Sequence, residues 1–175
     1  LNAEGLKNAL LSTADTTAMV FMIFLGADMM NATLALTEMP KIIAEWVTHL
    51  PIPDLSIVIM VLVLYVLLGC VMDELSMLLL TIPVIFPAIM GLDLWGLNAE
   101  SKAIWFGILV LIVVEVGLIT PPVGMNLFVI NSMDRLTPMV ETYRAVMYFV
   151  ASDIIRTIIL VLFPGITLFL MRVLN

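Results

Sequence analysis

Long apolar stretches dominate this chain: 13–37, 55–69, 75–90, 103–118 and 143–173 hold few charged residues each. A helix needs about 20 mostly apolar residues to cross a bilayer, and runs of this kind demand lipid or a very large core as solvent. At 175 residues the chain is too small for the second option. Hydrophobic residues make up 63%, against about 45–50% in soluble domains. Charged residues make up 12%, about half the ordinary share. A soluble enzyme, a disordered protein and a nucleic-acid binder are excluded on these grounds. The expected fold class is an all-α, polytopic helical membrane protein.

Seven Lys and Arg stand against fourteen Asp and Glu, a net charge of −7. A helix lying on anionic lipid would be basic, so that class is disfavoured. The single cysteine, Cys70, allows no internal disulfide and no Cys-rich metal site. It stands in an apolar run and reads as a small buried hydrophobe. No basic start leads into a short apolar core with a cleavage site, so no cleavable signal peptide is expected. The first residue is Leu, and the chain reads as part of something longer.

The apolar stretches differ in kind. Residues 1–12 are mildly amphipathic, with Ser12 or Thr13 as the expected cap of a helix over 13–37. In 38–50, Ile42, Ile43, Trp46, Val47 and Leu50 share one helical face while Lys41, Glu45, Thr48 and His49 occupy the other. That segment is too short and polar to span, and predicts an interfacial or re-entrant helix with Trp46 at headgroup depth. Pro51 and Pro53 interrupt the chain before the 55–69 run, and a polar loop covers 91–101. The stretch 143–173 predicts one last long helix, with Asp153 and Arg156 three residues apart as an ion pair. Three to five crossings are expected, and the scattered basic residues leave orientation open.

Two interruptions carry chemistry. In 115–126, E-V-G-L-I-T-P-P-V-G-M-N, neither proline has an N–H to close a helical bond. Pro121 therefore frees the carbonyl of Gly117, and Pro122 that of Leu118. Thr120, before a proline, is pushed from helical angles. Together these predict an unwound helix. Unwound backbone at membrane depth survives only inside protein or against a wet cavity. Its bare carbonyls suit a hard cation, and the start of the following half-helix suits an anion. Thr120 adds a hydroxyl and Asn126 an amide. The second interruption, G-C-V-M-D-E-L-S over 69–76, sets Asp73, Glu74 and Ser76 between two apolar arms. It is either a solvated surface turn between two spans or the tip of a helical hairpin near the midplane, with Gly69 allowing close backbone approach. Pro83 and Pro87 free the carbonyls of Leu79 and Pro83, which predicts an irregular second arm. Asp15, Asp28 and Glu115 are further acids in apolar surroundings. With one histidine and no hydrolase, nucleotide or metal motif, no enzyme activity is expected.

These runs, G-C-V-M-D-E-L-S with P-V-I-F-P-A-I-M-G-L-D (69–93), F-G-I-L with E-V-G-L-I-T-P-P-V-G-M-N-L-F-V (106–129) and F-P-G-I (163–166), resemble the large membrane subunit of TRAP transporters, the tripartite ATP-independent periplasmic transporters. The resemblance covers nearly the whole chain, at the family's C-terminal half. It implies a multi-pass protein of the bacterial inner membrane. The implied activity is sodium-driven symport of an organic acid such as a C4-dicarboxylate or sialic acid, with sodium as coupling ion and no other cofactor. It also implies four kinds of partner: a periplasmic substrate-binding protein, a small four-helix membrane subunit, the N-terminal half of the same permease and the substrate itself. The implied fold is one inverted-repeat half of an elevator-type transporter, with a re-entrant hairpin over 55–90 and a broken transmembrane helix over 103–133. On this division 1–53 forms scaffold and interfacial arm, 54–133 the transport elements and 134–175 a C-terminal helix. The resemblance places sodium among Gly69, Val71, Asp73, Thr120, Gly124 and Met125. Ser76 and Asn126 fall on the substrate side, and Pro121 and Pro122 make the break. With one repeat only, half of a substrate site is absent. Two other readings stand beside this one: an ion-coupled elevator permease without a binding protein, and a non-transporting membrane scaffold.

Overall fold

The computed structural model describes residues 3–121, 123–133 and 138–174. Among them the secondary structure is helical throughout: α1 (Ala3–Leu36), α2 (Met39–Thr48), α3 (Asp54–Gly69), α4 (Glu74–Met90), α5 (Ala99–Ile119), α6 (Met125–Met133), α7 (Met139–Leu162) and α8 (Pro164–Leu174). α1, α5 and α7 are long and apolar enough to cross a membrane, the lower end of the expected range. At about 1.5 Å per residue, the 16 residues of α3 and the 17 of α4 reach roughly 24–26 Å, short of the ~30 Å hydrocarbon core.

α5 is the central post. Its sequence is apolar on most sides, as expected of a helix largely surrounded by others, and only Leu111 and Glu115 of its latter half are exposed. Trp105, Phe106, Leu109, Val110, Val113 and Val114 are all buried along it. α3 packs along α5, α4 rests on α2 and α1, and α7 covers another side of α5. The buried core joins Val58, Leu62 and Tyr65 of α3, Met77 and Ile89 of α4, and Val161 and Leu168 near the C-terminus to α5.

α3 and α4 form an antiparallel pair joined by the turn 70–73. The hydroxyls of Tyr65 and Thr81 are hydrogen-bonded at 2.9 Å between the arms. At the open end the Asp54 carboxylate accepts from the Asp93 N–H at 2.6 Å. Lys102, buried at the start of α5, donates its ammonium to the carbonyls of Met90 and Leu92. A cation over a helix C-terminus satisfies carbonyls that the helix itself cannot.

Several expectations are corrected. α1 runs unbroken from Ala3, so 3–12 is continuous with the spanning segment and neither Ser12 nor Thr13 caps a helix. The Thr13 hydroxyl instead donates to the Ala9 carbonyl at 2.8 Å, within the helix. The last segment is two helices, because the chain leaves the helix at Phe163 and restarts on Pro164. Proline is well suited to a first helical position. α5 begins at Ala99, where the Asn98 side chain accepts from the Ser101 N–H at 2.8 Å. α4 stays helical through Pro83 and Pro87 rather than becoming irregular. The carbonyl that Pro83 frees, Leu79, accepts from the Asn31 amide of α1 at 3.2 Å. Pro164 frees Leu160 in the same way, and the Trp105 indole donates to that carbonyl at 2.9 Å. The Asp153–Arg156 pair forms as expected, at 3.0 Å. α2 carries its apolar residues unevenly: Ile43 and Val47 are half-buried, whereas Ile42 and Trp46 are exposed.

Candidate functional site

The C-terminal ends of α3 and α5 cross at two glycines. A Cβ built on Gly117 would stand 2.8 Å from the Val66 carbonyl oxygen and 2.9 Å from the Gly69 Cα. One built on Gly69 would stand 3.1 Å from the Val114 carbonyl oxygen. Only backbones without side chains come this close. The consequence is positional. The turn after Gly69 and the interruption after Gly117 are brought side by side, and Cys70 Sγ lies 4.0 Å from the Pro121 carbonyl oxygen. The 69–76 segment is a tight turn between two helices, both in contact with α5.

The interruption lies between Ile119 and Met125. Thr120 is extended, with φ −93° and ψ 135°. Its N–H donates to the Gly117 carbonyl at 3.0 Å. The carbonyl freed by Pro121 is therefore taken up locally, a correction to the expectation of a bare oxygen there. The Thr120 hydroxyl donates to the Val116 carbonyl at 2.5 Å. Gly124 has φ +60°, a left-handed angle that residues with a Cβ adopt at a cost. Its carbonyl receives the Leu127 N–H at 2.8 Å and so opens α6. The Tyr143 hydroxyl, from α7, donates to the Val123 carbonyl at 2.8 Å. Pro122 lies outside the described residues, as does the side chain of Met125. Asn126 is exposed on the first turn of α6.

On the turn, Gly69 and Cys70 are buried, while Val71 and Asp73 are exposed. Asp73 is the N-cap of α4, its carboxylate accepting from the Ser76 N–H at 3.0 Å. Asp73 and Ser76 are thus partners in one cap. The carboxyl group of Glu115, on α5, is a near neighbour of that of Glu74 at the start of α4. Sequence reasoning singled out both acids without pairing them. It missed Tyr143, Asp54 and Lys102, whose partners lie on other elements and leave no local signature. Among the described residues no group of three or more His, Cys, Asp or Glu forms a metal-binding cluster. An apolar groove of about 510 Å³ runs between α3, α5 and α7 and ends at Thr120.

The profile of the family described as "Tripartite ATP-independent periplasmic transporter, DctM component" matches residues 1–166. The chain is 30% identical over 159 residues to the C4-dicarboxylate TRAP transporter large permease protein DctM of Pseudomonas aeruginosa, covering 91% of this chain and 35% of the relative. It is 25% identical over 172 residues to the sialic acid TRAP transporter large permease protein SiaM of Vibrio cholerae, covering 97% and 38%. The isethionate TRAP transporter permease protein DctMQ of Oleidesulfovibrio alaskensis is 26% identical over 133 residues, covering 76% and 20%. No solved structure matches. The expectation of a C-terminal half is corrected: the chain spans about a third of the length of the first two relatives, so the matched piece is smaller than a half. The relatives are permeases by name, and the present chain is a multi-pass helical membrane protein by its apolar helices. This chain belongs to the DctM family, the large permease component of the TRAP transporters.

Proposed function

We propose that this chain forms part of the transport machinery of a sodium-coupled secondary transporter, which carries an organic acid across the bacterial inner membrane after delivery by a periplasmic binding protein. The observation that carries this reading is the meeting of the α3–α4 turn and the α5–α6 interruption at the Gly69–Gly117 crossing. Arms shorter than the hydrocarbon core suit a re-entrant hairpin, and its tip then lies at membrane depth beside unwound backbone. The Asp73 carboxylate, the Thr120 hydroxyl oxygen and the peptide carbonyls of Gly69, Val71, Thr120, Gly124 and Met125 are the candidate sodium ligands. The start of α6, with Asn126 on its first turn, presents positive backbone dipoles to a carboxylate, and Ser76, on the first turn of α4, is the second substrate-side candidate. Movement of this hairpin-and-helix body against a scaffold that includes α1 and α2 is the elevator step. A small membrane subunit and the rest of a family-length permease complete the assembly.

The test is uptake by a family-length permease containing this segment, reconstituted in liposomes with its membrane partner. Uptake is expected only with a sodium gradient and substrate-loaded binding protein together. The Thr120→Val variant is expected to insert normally and to need several-fold more sodium for half-maximal uptake. Uptake without binding protein would favour a simpler ion-coupled permease. No uptake under any gradient would favour a scaffold, and an unchanged sodium requirement would remove Thr120 from the ligand set.

A further inference from the structure

Between Ile119 and Met125 the backbone turns largely on its own bonds, but one of its oxygens is held by a hydroxyl from α7. Tyr143 donates to the Val123 carbonyl at 2.8 Å. Beside it on α7, the Thr142 hydroxyl donates to the Asn131 side-chain oxygen of α6 at 3.3 Å. The start of α7 thus holds both α6 and the chain that leads into it. The Tyr143 bond falls where the backbone is least determined. The Val123 carbonyl and the Gly124 N–H share one rigid peptide plane. The next plane is fixed by the Leu127 N–H, which donates to the Gly124 carbonyl at 2.8 Å. Between the two planes stands Gly124, at φ +60°. Glycine has the widest choice of φ, so without the Tyr143 bond the first plane can turn. Gly124 also closes the loop, because a Cβ built on it would stand 3.3 Å from the Thr120 carbonyl oxygen. Where that oxygen sits relative to the Gly124 backbone follows from the plane that Tyr143 holds.

We infer that Tyr143 is a positioning residue for the coupling cation. It keeps 120–124 in the shape that sets the Thr120 and Gly124 carbonyls side by side, and thereby sets the sodium concentration that uptake needs. This rests on the proposal that those carbonyls are sodium ligands. The Val123 oxygen lies outside that ligand set, so Tyr143 acts through the backbone. A site whose donors are already in place loses no binding energy to arranging them. Loss of the hydroxyl therefore weakens sodium binding and leaves the movement that follows it intact.

The experiment uses a family-length permease containing this segment, with its membrane partner and substrate-loaded binding protein, in liposomes. Tyr143→Phe removes one oxygen and keeps the ring. It is expected to raise the sodium needed for half-maximal uptake about three- to tenfold, the worth of one neutral hydrogen bond. The rate at saturating sodium is expected to stay as in the wild type, whereas loss of a purely structural bond would lower that rate and leave the sodium requirement alone. Thr142→Val, which cuts the other bond between α7 and α6, is expected to leave the sodium requirement unchanged. A second measurement needs no transport. Hydrogen exchange of the 123–127 backbone in purified, sodium-free protein is expected to be faster in Tyr143→Phe than in the wild type, and saturating sodium is expected to remove the difference. Equal exchange in the two proteins, an unchanged sodium requirement, or the same shift from Thr142→Val would overturn the inference and leave sodium coupling standing. Wild-type uptake indifferent to sodium would overturn the proposed function, and this inference with it.

Discussion

A methyl group on Gly117 would press on the Val66 carbonyl and on the Gly69 Cα, both backbone atoms that cannot swing aside. Overpacking of that kind typically costs about 1–3 kcal/mol. Gly107, on the same helix, has nothing within 4 Å of where its Cβ would stand. Gly117→Ala is therefore expected to lower the melting temperature of the purified protein in detergent, and Gly107→Ala is not. Equal melting temperatures would mean that α3 and α5 do not cross at these glycines. Gly124 is constrained differently, by its positive φ rather than by a neighbour. Sequence inspection found Gly69, Gly117 and Gly124 because they flank interruptions. It did not tell a glycine needed for close approach from one needed for an angle, since that depends on what stands opposite.

At the scale of elements, the prolines and their lost hydrogen bonds organise the bundle. Each proline frees a carbonyl four residues back, and in a membrane that oxygen must find another donor. The donor for Leu79 is Asn31 on α1, and for Leu160 it is Trp105 on α5. These bonds tie helices that share few other polar contacts. Trp105→Phe is expected to cost about 1–3 kcal/mol, the range for a buried acceptor left unpaired. In a Pro164→Ala background the cost is expected to shrink, because the new N–H at position 164 can serve the Leu160 carbonyl. Thermal unfolding of the four members of this double-mutant cycle measures the difference, and strict additivity would show that the indole bond does not replace the missing one. The same logic applies to the interruption itself. Replacing Pro121 and Pro122 together by Ala restores two backbone donors. The double variant is expected to close α5 and α6 into one helix and to abolish uptake by a family-length permease. Retained uptake would leave the interruption without a role in transport.

The whole molecule is held at both ends of α5. At one end the Gly69–Gly117 crossing sets the turn beside the interruption. At the other, Lys102 and the Asp54–Asp93 bond fasten the open end of the α3–α4 pair. Lys102→Met keeps the bulk of the side chain but leaves the Met90 and Leu92 carbonyls without their donor. A loss of about 1–3 kcal/mol is expected, seen as a lower midpoint of thermal unfolding, and no shift would mean that water serves these carbonyls equally well. α1 and α7, by contrast, leave most of their apolar surface uncovered. Such surface is ordinary for helices bathed in lipid or in contact with further protein.

Composition and periodicity alone determined that the chain is helical, that it lives in a membrane, and that helices stop near Gly69 and Thr120, though not the break at Phe163 or the unbroken course of α4. Those properties are local: a proline lacks its N–H whatever surrounds it, and an apolar run of sufficient length needs lipid in any fold. Only the tertiary structure decided which freed oxygens are claimed and which interruptions meet. The decisive contacts join Asn31 to Leu79, Cys70 to Pro121 and Trp105 to Leu160, pairs separated by 48, 51 and 55 residues. No spacing rule reaches across such distances, because helices pack by the shape and hydrogen-bonding needs of whole surfaces. The same reason hid Lys102 and Tyr143, whose roles exist only once a helix end or an unwound carbonyl has been brought to them.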